Sequence, residues 1–264
     1  MARSQLYKDY DYMNDAYTIR RLSCGEIAAE IGIPKRTING WMHTLNIPVR
    51  PWGIGKNIID ISDYLKSFID GELLGDGTMT KCGVHSAYYQ HGSQYEEYVD
   101  WLEKEFTREG VKQGGEIDCR THHCDFHNGS QASDHDAYHY RSLSYVAFRP
   151  FRSRFYPEKD KIVPKDIVID PVVLRQWYLG DGCISQYPYS KNITLYTCSF
   201  SRDDVEFLSD KLRDIGLTVT YNKHDNAIRV GARSVDDFLD FTGPCPIGCY
   251  SYKWNRHHEK AGGR

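Results

Sequence analysis

No stretch of this sequence is apolar for long. The 264 residues contain no run near the ~18 apolar residues that a membrane-spanning helix needs. The first residues, "MARSQLYKDYDYM", also contain no apolar segment of the kind that a secretion signal requires. We therefore expect an intracellular, non-secreted protein, in the cytoplasm, nucleoid or an organelle matrix, with no membrane partner. The length predicts about two domains.

Positive charge is not in excess either. Lys and Arg total 33 against 36 Asp and Glu, giving a net charge of −3. This balance argues only mildly against nucleic-acid binding, because acids elsewhere can offset a basic face. The eight cysteines have no secretory setting, so we expect reduced thiols. "CRTHHCDFH" (119–127) and "CPIGC" (245–249) resemble zinc ligands, but their spacing is too loose to predict a zinc site.

Residues 1–50 are predicted to form a small all-α domain, followed by a Pro- and Gly-rich linker at 51–60. The stretch "CGEIAAEIGIPKRTINGWMHTL" (24–45) predicts a helix-turn-helix, with Gly32 at the turn and small Ala28 where the helices cross. Such a second helix meets DNA near its N-terminus. The residues predicted to bind DNA there are Lys35, Arg36, Thr37 and Asn39. The alternative is an ordinary helical hairpin with solvated charges.

The rest of the chain repeats one order of elements. Residues 61–165 and 166–264 each begin with a helix that ends in Gly-Asp-Gly, followed by strands, a helix, strands and a last helix. A repeat of this length predicts a duplicated α+β domain that forms a pseudo-dimer within one chain. We therefore expect a monomer.

An acid is misplaced at the end of each first helix. "GELLGDGTM" (71–79) and "WYLGDGCI" (177–184) put Asp76 and Asp181 at the negative end of a helix dipole, which is unfavourable unless a cation binds there. Magnesium, which prefers oxygen ligands, fits this position. Gly71 and Gly75 lie four apart on one helix face, where a second helix could approach closely. Paired carboxylates with magnesium suit phosphodiester cleavage. The alternative is two unrelated Gly-Asp-Gly turns.

These stretches, "IDGELLGDG" (69–77) and "LRQWYLGDG" (174–182), resemble the nine-letter motif of the LAGLIDADG homing endonucleases in their single-chain, two-motif form. The resemblance covers about residues 57–255. It implies two LAGLIDADG domains with saddle-shaped antiparallel sheets. It also implies that Asp76 and Asp181 bind two or three Mg²⁺ ions, replaceable by Mn²⁺, near the carbonyls of Gly75 and Gly180. Lys161 in "DKIVP" and Lys253 in "YKW" match lysines that order solvent or offset transition-state charge in the family.

The two motifs depart from the family pattern. Gln176 stands at the third letter, where many members have a small residue, which argues against close helix approach there. Leu74 and Leu179 replace the usual acid at the sixth letter, and Glu72 occupies a usually apolar position. Because Gly71 aligns with Gln176, we expect an asymmetric interface.

The resemblance implies a site-specific homing endonuclease that cuts double-stranded DNA across the minor groove of a long site, leaves 3′ overhangs and serves intron homing. The alternatives are a maturase for the protein's own intron RNA and a catalytically inactive DNA-binding regulator. Polar residues on predicted strands could enter the major groove as β-ribbons. The candidate base contacts are Gln90, Arg120, His139, Arg141, Lys191, Lys223 and Arg229.

Overall fold

The computed structural model describes residues 3–48, 57, 59–124, 133–187 and 190–255. Its N-terminal part is helical and has its own core. The α-helices are α1 (Tyr10–Asn14), α2 (Cys24–Ile31) and α3 (Lys35–Thr44), with a 3-10 helix at Arg3–Lys8 and a π-helical turn at Asp15–Ile19. Gly32 has φ of 74° in the turn between α2 and α3, and Ile27 and Ile38 are fully buried. The local geometry is that of two helices joined by a tight turn; its binding to DNA stays a prediction.

Two αββαββα units follow. The first comprises α4 (Asp63–Leu74), β1 (Thr78–Cys82), β2 (Ser86–Ser93), α5 (Glu96–Arg108), β3 (Asp118–Cys124), β4 (Ser133–Arg141) and α6 (Arg149–Phe155). The second comprises α7 (Pro171–Asp181), β5 (Gly182–Tyr187), β6 (Ser190–Tyr196), α8 (Arg202–Asp214), β7 (Val219–Asn222), β8 (Ala227–Val230) and α9 (Val235–Thr242), then a 3-10 helix (Gly248–Trp254). The repeat that the sequence predicts is therefore present.

Each unit contains one four-stranded antiparallel sheet. The strand orders, β1-β2-β4-β3 and β5-β6-β8-β7, are equivalent, so the two sheets have the same topology. One hydrophobic core runs through both units and includes Phe68, Tyr89, Trp177 and Phe238, all nearly or fully buried. This confirms the predicted α+β class. No helix in the described part of the chain is long and apolar enough to cross a membrane.

The first helices of the units begin at capping residues. The Ser62 side chain accepts a hydrogen bond from the Leu65 N–H, and α4 starts at the next residue. Asp170 accepts from the N–H groups of Val172 and Val173, with Pro171 at the first helical position. Caps of this kind satisfy the N–H groups that have no partner within the helix. They set where each motif helix begins.

Helices α4 and α7 pack against each other without room for a side chain at Gly71. A side-chain carbon added there would lie 2.5 Å from the Val173 backbone oxygen and 2.8 Å from Gln176 Cβ. The expectation that Gln176 prevents close approach is therefore wrong, because the glycine opposite accommodates it. The Ser67 hydroxyl also donates to Asp170 Oδ2 across the interface at 2.5 Å. The predicted asymmetry between Gly71 and Gln176 is confirmed.

Candidate active site at the ends of the paired helices

The two motif acids meet where the paired helices end. Asp76 lies just beyond α4 and is exposed, whereas Asp181 is the last residue of α7 and is half-buried. A side-chain carbon added to Gly180 would lie 3.1 Å from the Asp76 nitrogen and 3.5 Å from Asp76 Oδ2. One added to Gly75 would lie 3.5 Å from the Gly180 Cα atom. Because Gly75 and Gly180 have no side chains, the end of each helix packs closely against the turn that carries the acid of the other helix.

A lysine holds the end of each helix. The Lys161 ammonium donates to the carbonyls of Gly75 at 2.8 Å and Gly77 at 3.2 Å. The Lys253 ammonium donates to the Leu179 carbonyl at 2.6 Å, with the carbonyls of Tyr178 and Gly180 at 3.2 and 3.5 Å. The last carbonyls of a helix have no partner within it, so these lysines satisfy acceptors that would otherwise need water.

Both lysines are influenced by both motif acids, and each is influenced most by the acid of the opposite half. Burial lowers the pKa of Lys253 to about 8, and among its charged neighbours Asp76 opposes that shift most. Burial likewise lowers the pKa of Lys161 to about 8, and here Asp181 opposes the shift most. We call Asp76, Gly180 and Lys253 the Asp76 centre, and Asp181, Gly75 and Lys161 the Asp181 centre. Each centre combines residues of both halves.

The Asp181 carboxyl has a raised pKa. Burial raises the pKa of Asp181 to about 7, and the nearby Asp76 carboxylate raises it further, because two like charges disfavour ionisation. The Lys161, Lys253 and His91 side chains act in the opposite direction on this carboxyl. A bound cation would favour the ionised form of this carboxyl.

The donor set fits magnesium better than a metal held by the protein alone. In the residues that the structure describes, no three His, Cys, Asp or Glu side chains group closely enough to hold a metal. Two carboxylates beside helix-end carbonyls are a sparse oxygen set, which suits an ion that keeps water and takes substrate phosphates. Asp76 and Asp181 would hold it. The Gly75 and Gly180 carbonyls already accept from lysines and have one lone pair left each.

Four candidate DNA contacts share one face of the first sheet. Gln90 pairs with Arg141 in the strand register, and Gly92 pairs with His139, so these side chains project on the same side. Arg120 projects there too, because it lies two residues from Asp118, the partner of His139. Together with Asp76 they line an open cleft of about 560 Å³. The sheet face and the Asp76 centre are thus continuous.

The second sheet divides its three candidates. Arg229 pairs with Thr194 on the open face. Lys191 instead shares a face with buried Ile193, and its ammonium lies 2.8 Å from Asp236 Oδ1 at the start of α9. The expectation that Lys191 projects from the polar face is therefore wrong. Lys223 lies in the hairpin between β7 and β8, with its ammonium 3.8 Å from Glu206 Oε1.

The N-terminal candidates lie at the start of α3. Lys35, Arg36 and Asn39 are exposed, and Thr37 is half-buried. They occupy little more than one turn after Pro34, as the sequence predicts.

A buried polar cluster was not predicted from the sequence. The Glu72 carboxylate accepts hydrogen bonds from the hydroxyls of Tyr89 at 2.5 Å and Tyr98 at 2.8 Å. His91 Nδ1 lies 3.1 Å from Glu72 Oε2. We call Glu72, Tyr89, His91 and Tyr98 the Glu72 cluster; all four are buried. Its signal in the sequence was the acid at a usually apolar letter of the motif.

A second, aromatic cleft opens at the Asp76 centre. Its volume is about 460 Å³, and Asp76, Gly180 and Lys253 line it. Tyr95 of the first half and Tyr250 of the second meet edge to face there, with ring centroids 5.2 Å apart. The carboxylate of Glu97 also accepts from the Gly248 N–H at 3.2 Å. This hydrogen bond connects the C-terminal 3-10 helix to α5 of the first half.

Comparison with known proteins agrees with this architecture. The family model described as the LAGLIDADG DNA endonuclease family matches residues 66–238. An uncharacterised protein of Methanocaldococcus jannaschii is 31% identical over 203 residues, covering 76% of each chain. The structure of the homing endonuclease I-WcaI bound to its DNA recognition sequence is similar with a TM-score of 0.62 at 21% identity, covering 74% of this chain and 88% of that one. The N-terminal LAGLIDADG domain of WhiA gives a TM-score of 0.42 at 11% identity, covering 71% and 88%.

The family match spans well over half of the chain and contains most of α4, all of α7 and both sheets. The chain therefore belongs to the LAGLIDADG DNA endonuclease family.

Proposed function

We propose that this protein is a magnesium-dependent homing endonuclease that makes a site-specific double-strand cut in DNA. The observation that carries the proposal is the pair of carboxylates, Asp76 and Asp181, at joined helix ends whose carbonyls accept hydrogen bonds from Lys161 and Lys253. A fold built only for stability would not place two acids at negative helix ends beside each other. Membership of the family supports the same activity.

Each side chain of the centres has a defined task. Asp76 and Asp181 would hold Mg²⁺, which would supply an activated water and neutralise charge on phosphate oxygens. Lys253 and Lys161 keep the helix ends in place and put positive charge beside the reacting phosphate. With pKa values of about 8, both are largely charged at neutral pH. They also become less charged when the pH rises by one or two units.

DNA is bound along the open faces of the two sheets, with the scissile phosphates over the helix ends. In the first half Gln90, Arg120, His139 and Arg141 supply the polar face that reaches the Asp76 centre. In the second half Arg229 and the hairpin residue Lys223 take this part. The helix-turn-helix adds a separate contact through Lys35 and Arg36. Cutting across the minor groove leaves 3′ overhangs, and one chain acts alone as a monomer.

The test uses a supercoiled plasmid that carries the protein's own genomic locus joined at the presumed insertion point. We expect linear product with Mg²⁺ and none with EDTA. Asp76→Asn and Asp181→Asn should abolish the double-strand cut, while DNA binding, measured by mobility shift, persists. A cut that survives both changes would show that the catalytic centre lies elsewhere.

A second readout does not depend on cleavage. Millimolar Mg²⁺ should raise the melting temperature of the wild-type protein and should have no effect on the Asp76→Asn, Asp181→Asn double variant. Binding of the joined locus without any cut would indicate a DNA-binding regulator, and binding of the intron transcript alone would indicate a maturase.

A further inference from the structure

The Glu72 cluster places a carboxylate in the core, which costs free energy. A buried carboxylate loses its hydration, and hydrogen bonds recover that loss only when every lone pair is used. Glu72 is 1% exposed and is surrounded by two tyrosine hydroxyls and the His91 ring. Apolar residues of the same volume would stabilise the fold as well or better. Stability alone therefore does not account for Glu72.

The second half shows the apolar solution at the same positions. In the motif alignment Glu72 corresponds to Trp177, which is fully buried. Thr78 and Cys183 each lie two residues after a motif acid. In the strand registers Thr78 pairs with Gln90, and Cys183 pairs with Thr194. Gln90 of β2 therefore corresponds to Thr194 of β6. The residues before them, Tyr89 and Ile193, then correspond, as do the residues after them, His91 and Leu195. Ile193 and Leu195 are both fully buried. The polar cluster thus belongs to one half only.

Glu72 also carries the turn on which Asp76 sits. Its backbone carbonyl accepts from the N–H groups of Gly75 at 3.2 Å and Gly77 at 2.9 Å, on either side of Asp76. A side-chain carbon added to Gly77 would lie 2.7 Å from that carbonyl oxygen and 2.9 Å from the Tyr89 ring. The Asp76 turn is therefore packed directly on two members of the cluster. Moving the Glu72 side chain would move its carbonyl, and with it this turn.

The cluster connects three elements at this point. Glu72 comes from the last turn of α4, Tyr89 and His91 from β2, and Tyr98 from α5. Tyr98 also packs edge to face on Tyr250, three residues before Lys253, with centroids 5.1 Å apart. The cluster therefore contacts the surroundings of both the acid and the lysine of the Asp76 centre.

From these contacts we infer that Glu72 is a positioning residue of the Asp76 centre and acts on only one of the two strand cuts. The inference rests on the proposed function, because it needs a chain that cuts both strands. Glu72 is buried and its carboxylate contacts Tyr89, His91 and Tyr98, so it offers no exposed surface to DNA. It fixes the place of Asp76 through its own backbone, and hydrogen bonds from the tyrosines fix Glu72.

The experiment measures the two strands separately. A duplex containing the joined locus is labelled with a different dye on each strand and cut under single-turnover conditions with Mg²⁺. The strand that Asp76→Asn slows more is the reference strand. Glu72→Gln should slow the reference strand about 10- to 100-fold, as expected for a small displacement of a catalytic group, and the other strand less than about threefold.

Two tyrosines provide a matched pair of variants. Tyr98→Phe removes a hydroxyl that donates to Glu72, and we expect the reference strand to slow about threefold or more. Tyr140→Phe removes a hydroxyl that is buried in the same core and has no hydrogen-bond partner among the described residues. It should leave both strand rates unchanged.

The outcomes separate the inference from the proposed function. If the wild-type protein cuts neither strand, the proposed function fails. If it cuts both, and Glu72→Gln slows them in equal proportion or not at all, the positioning role is wrong. An effect that comes only from lost stability would lower the melting temperature and DNA binding and would act on both strands alike.

Discussion

The two halves of the protein have the same order of elements and differ in the residues packed behind their motif acids. In the first half an exposed Asp76 stands on a turn supported by the polar Glu72 cluster. In the second, a half-buried Asp181 ends a helix supported by Trp177, Ile193 and Leu195. The two halves therefore share the geometry of their helix ends, although the residues behind those ends differ. The means of holding each acid have diverged, and the two centres are chemically unequal.

The largest expected effect concerns the lysines, which test whether the centres cross between the halves. Replacing Lys253 with Met removes a charge-assisted donor beside the reacting phosphate and should slow cleavage about 10²- to 10³-fold, as for other preorganised donors. Lys253→Met should slow cleavage of the same DNA strand as Asp76→Asn does. Lys161→Met should slow cleavage of the same strand as Asp181→Asn does. Strand-resolved single-turnover rates measure this. The opposite matching would mean that each lysine serves its own half.

The helix interface comes next. Gly71→Ala puts a carbon 2.5 Å from the Val173 carbonyl, which as backbone cannot turn aside. We expect a loss of about 2 kcal/mol in the free energy of unfolding, in the range of overpacked cores, seen in urea denaturation. Gly231→Ala is the control, since its added carbon would meet only ordinary contacts at 3.5 Å and 3.8 Å. Equal stability of the two variants would contradict the close packing.

The pH dependence of stability without metal should report the raised pKa of Asp181. Because the pKa of Asp181 is raised from 3.8 to about 7, the folded state retains a proton that the unfolded chain has lost between about pH 4 and 7. Its contribution to stability therefore falls as the pH rises through that window. In EDTA, Asp181→Asn should melt a few degrees above wild type at pH 8 and near it at pH 4. A difference that does not change with pH would refute the raised pKa.

The smallest effect is expected outside the paired halves. Arg36→Ala should weaken DNA binding several-fold and reduce the slope of log K against log salt by about one, as for one lost phosphate contact. Fluorescence anisotropy at several salt concentrations measures both. Arg20→Ala is the control within the same domain, because its guanidinium is held by Asp15 and Glu30. Unchanged binding by the Arg36 variant would remove the helix-turn-helix from the DNA interface.

Sequence reasoning succeeded where the signal is local. Ser62, Asp170 and Gly32 set helix ends by their own backbone and side-chain chemistry, so the repeated units and the convergence of the two acids could be predicted. Helix α4 ends at Leu74, just before the Gly-Asp-Gly in which the sequence places its end, because the Gly75 N–H bonds back to Gly71 and Glu72 and the chain then turns.

The features that the sequence did not predict depend on contacts between residues far apart in the chain. The side of the sheet on which Lys191 projects depends on register, and a shift of one residue reverses it. The Glu72 cluster needs β2 and α5 to meet the end of α4, which no short stretch of sequence encodes. The sequence could show only that an acid stood where an apolar residue was usual.

The contact between Gly71 and Gln176 determines which halves can associate. Two copies of the first half would set glycine against glycine and leave a gap, and two copies of the second would set Gln176 against itself where its Cβ already fills the space. If the chain were divided between residues 165 and 166, the fragments should recombine as a heterodimer and not as two homodimers. The two halves are thus complementary rather than interchangeable, and a single polypeptide supplies them in equal number.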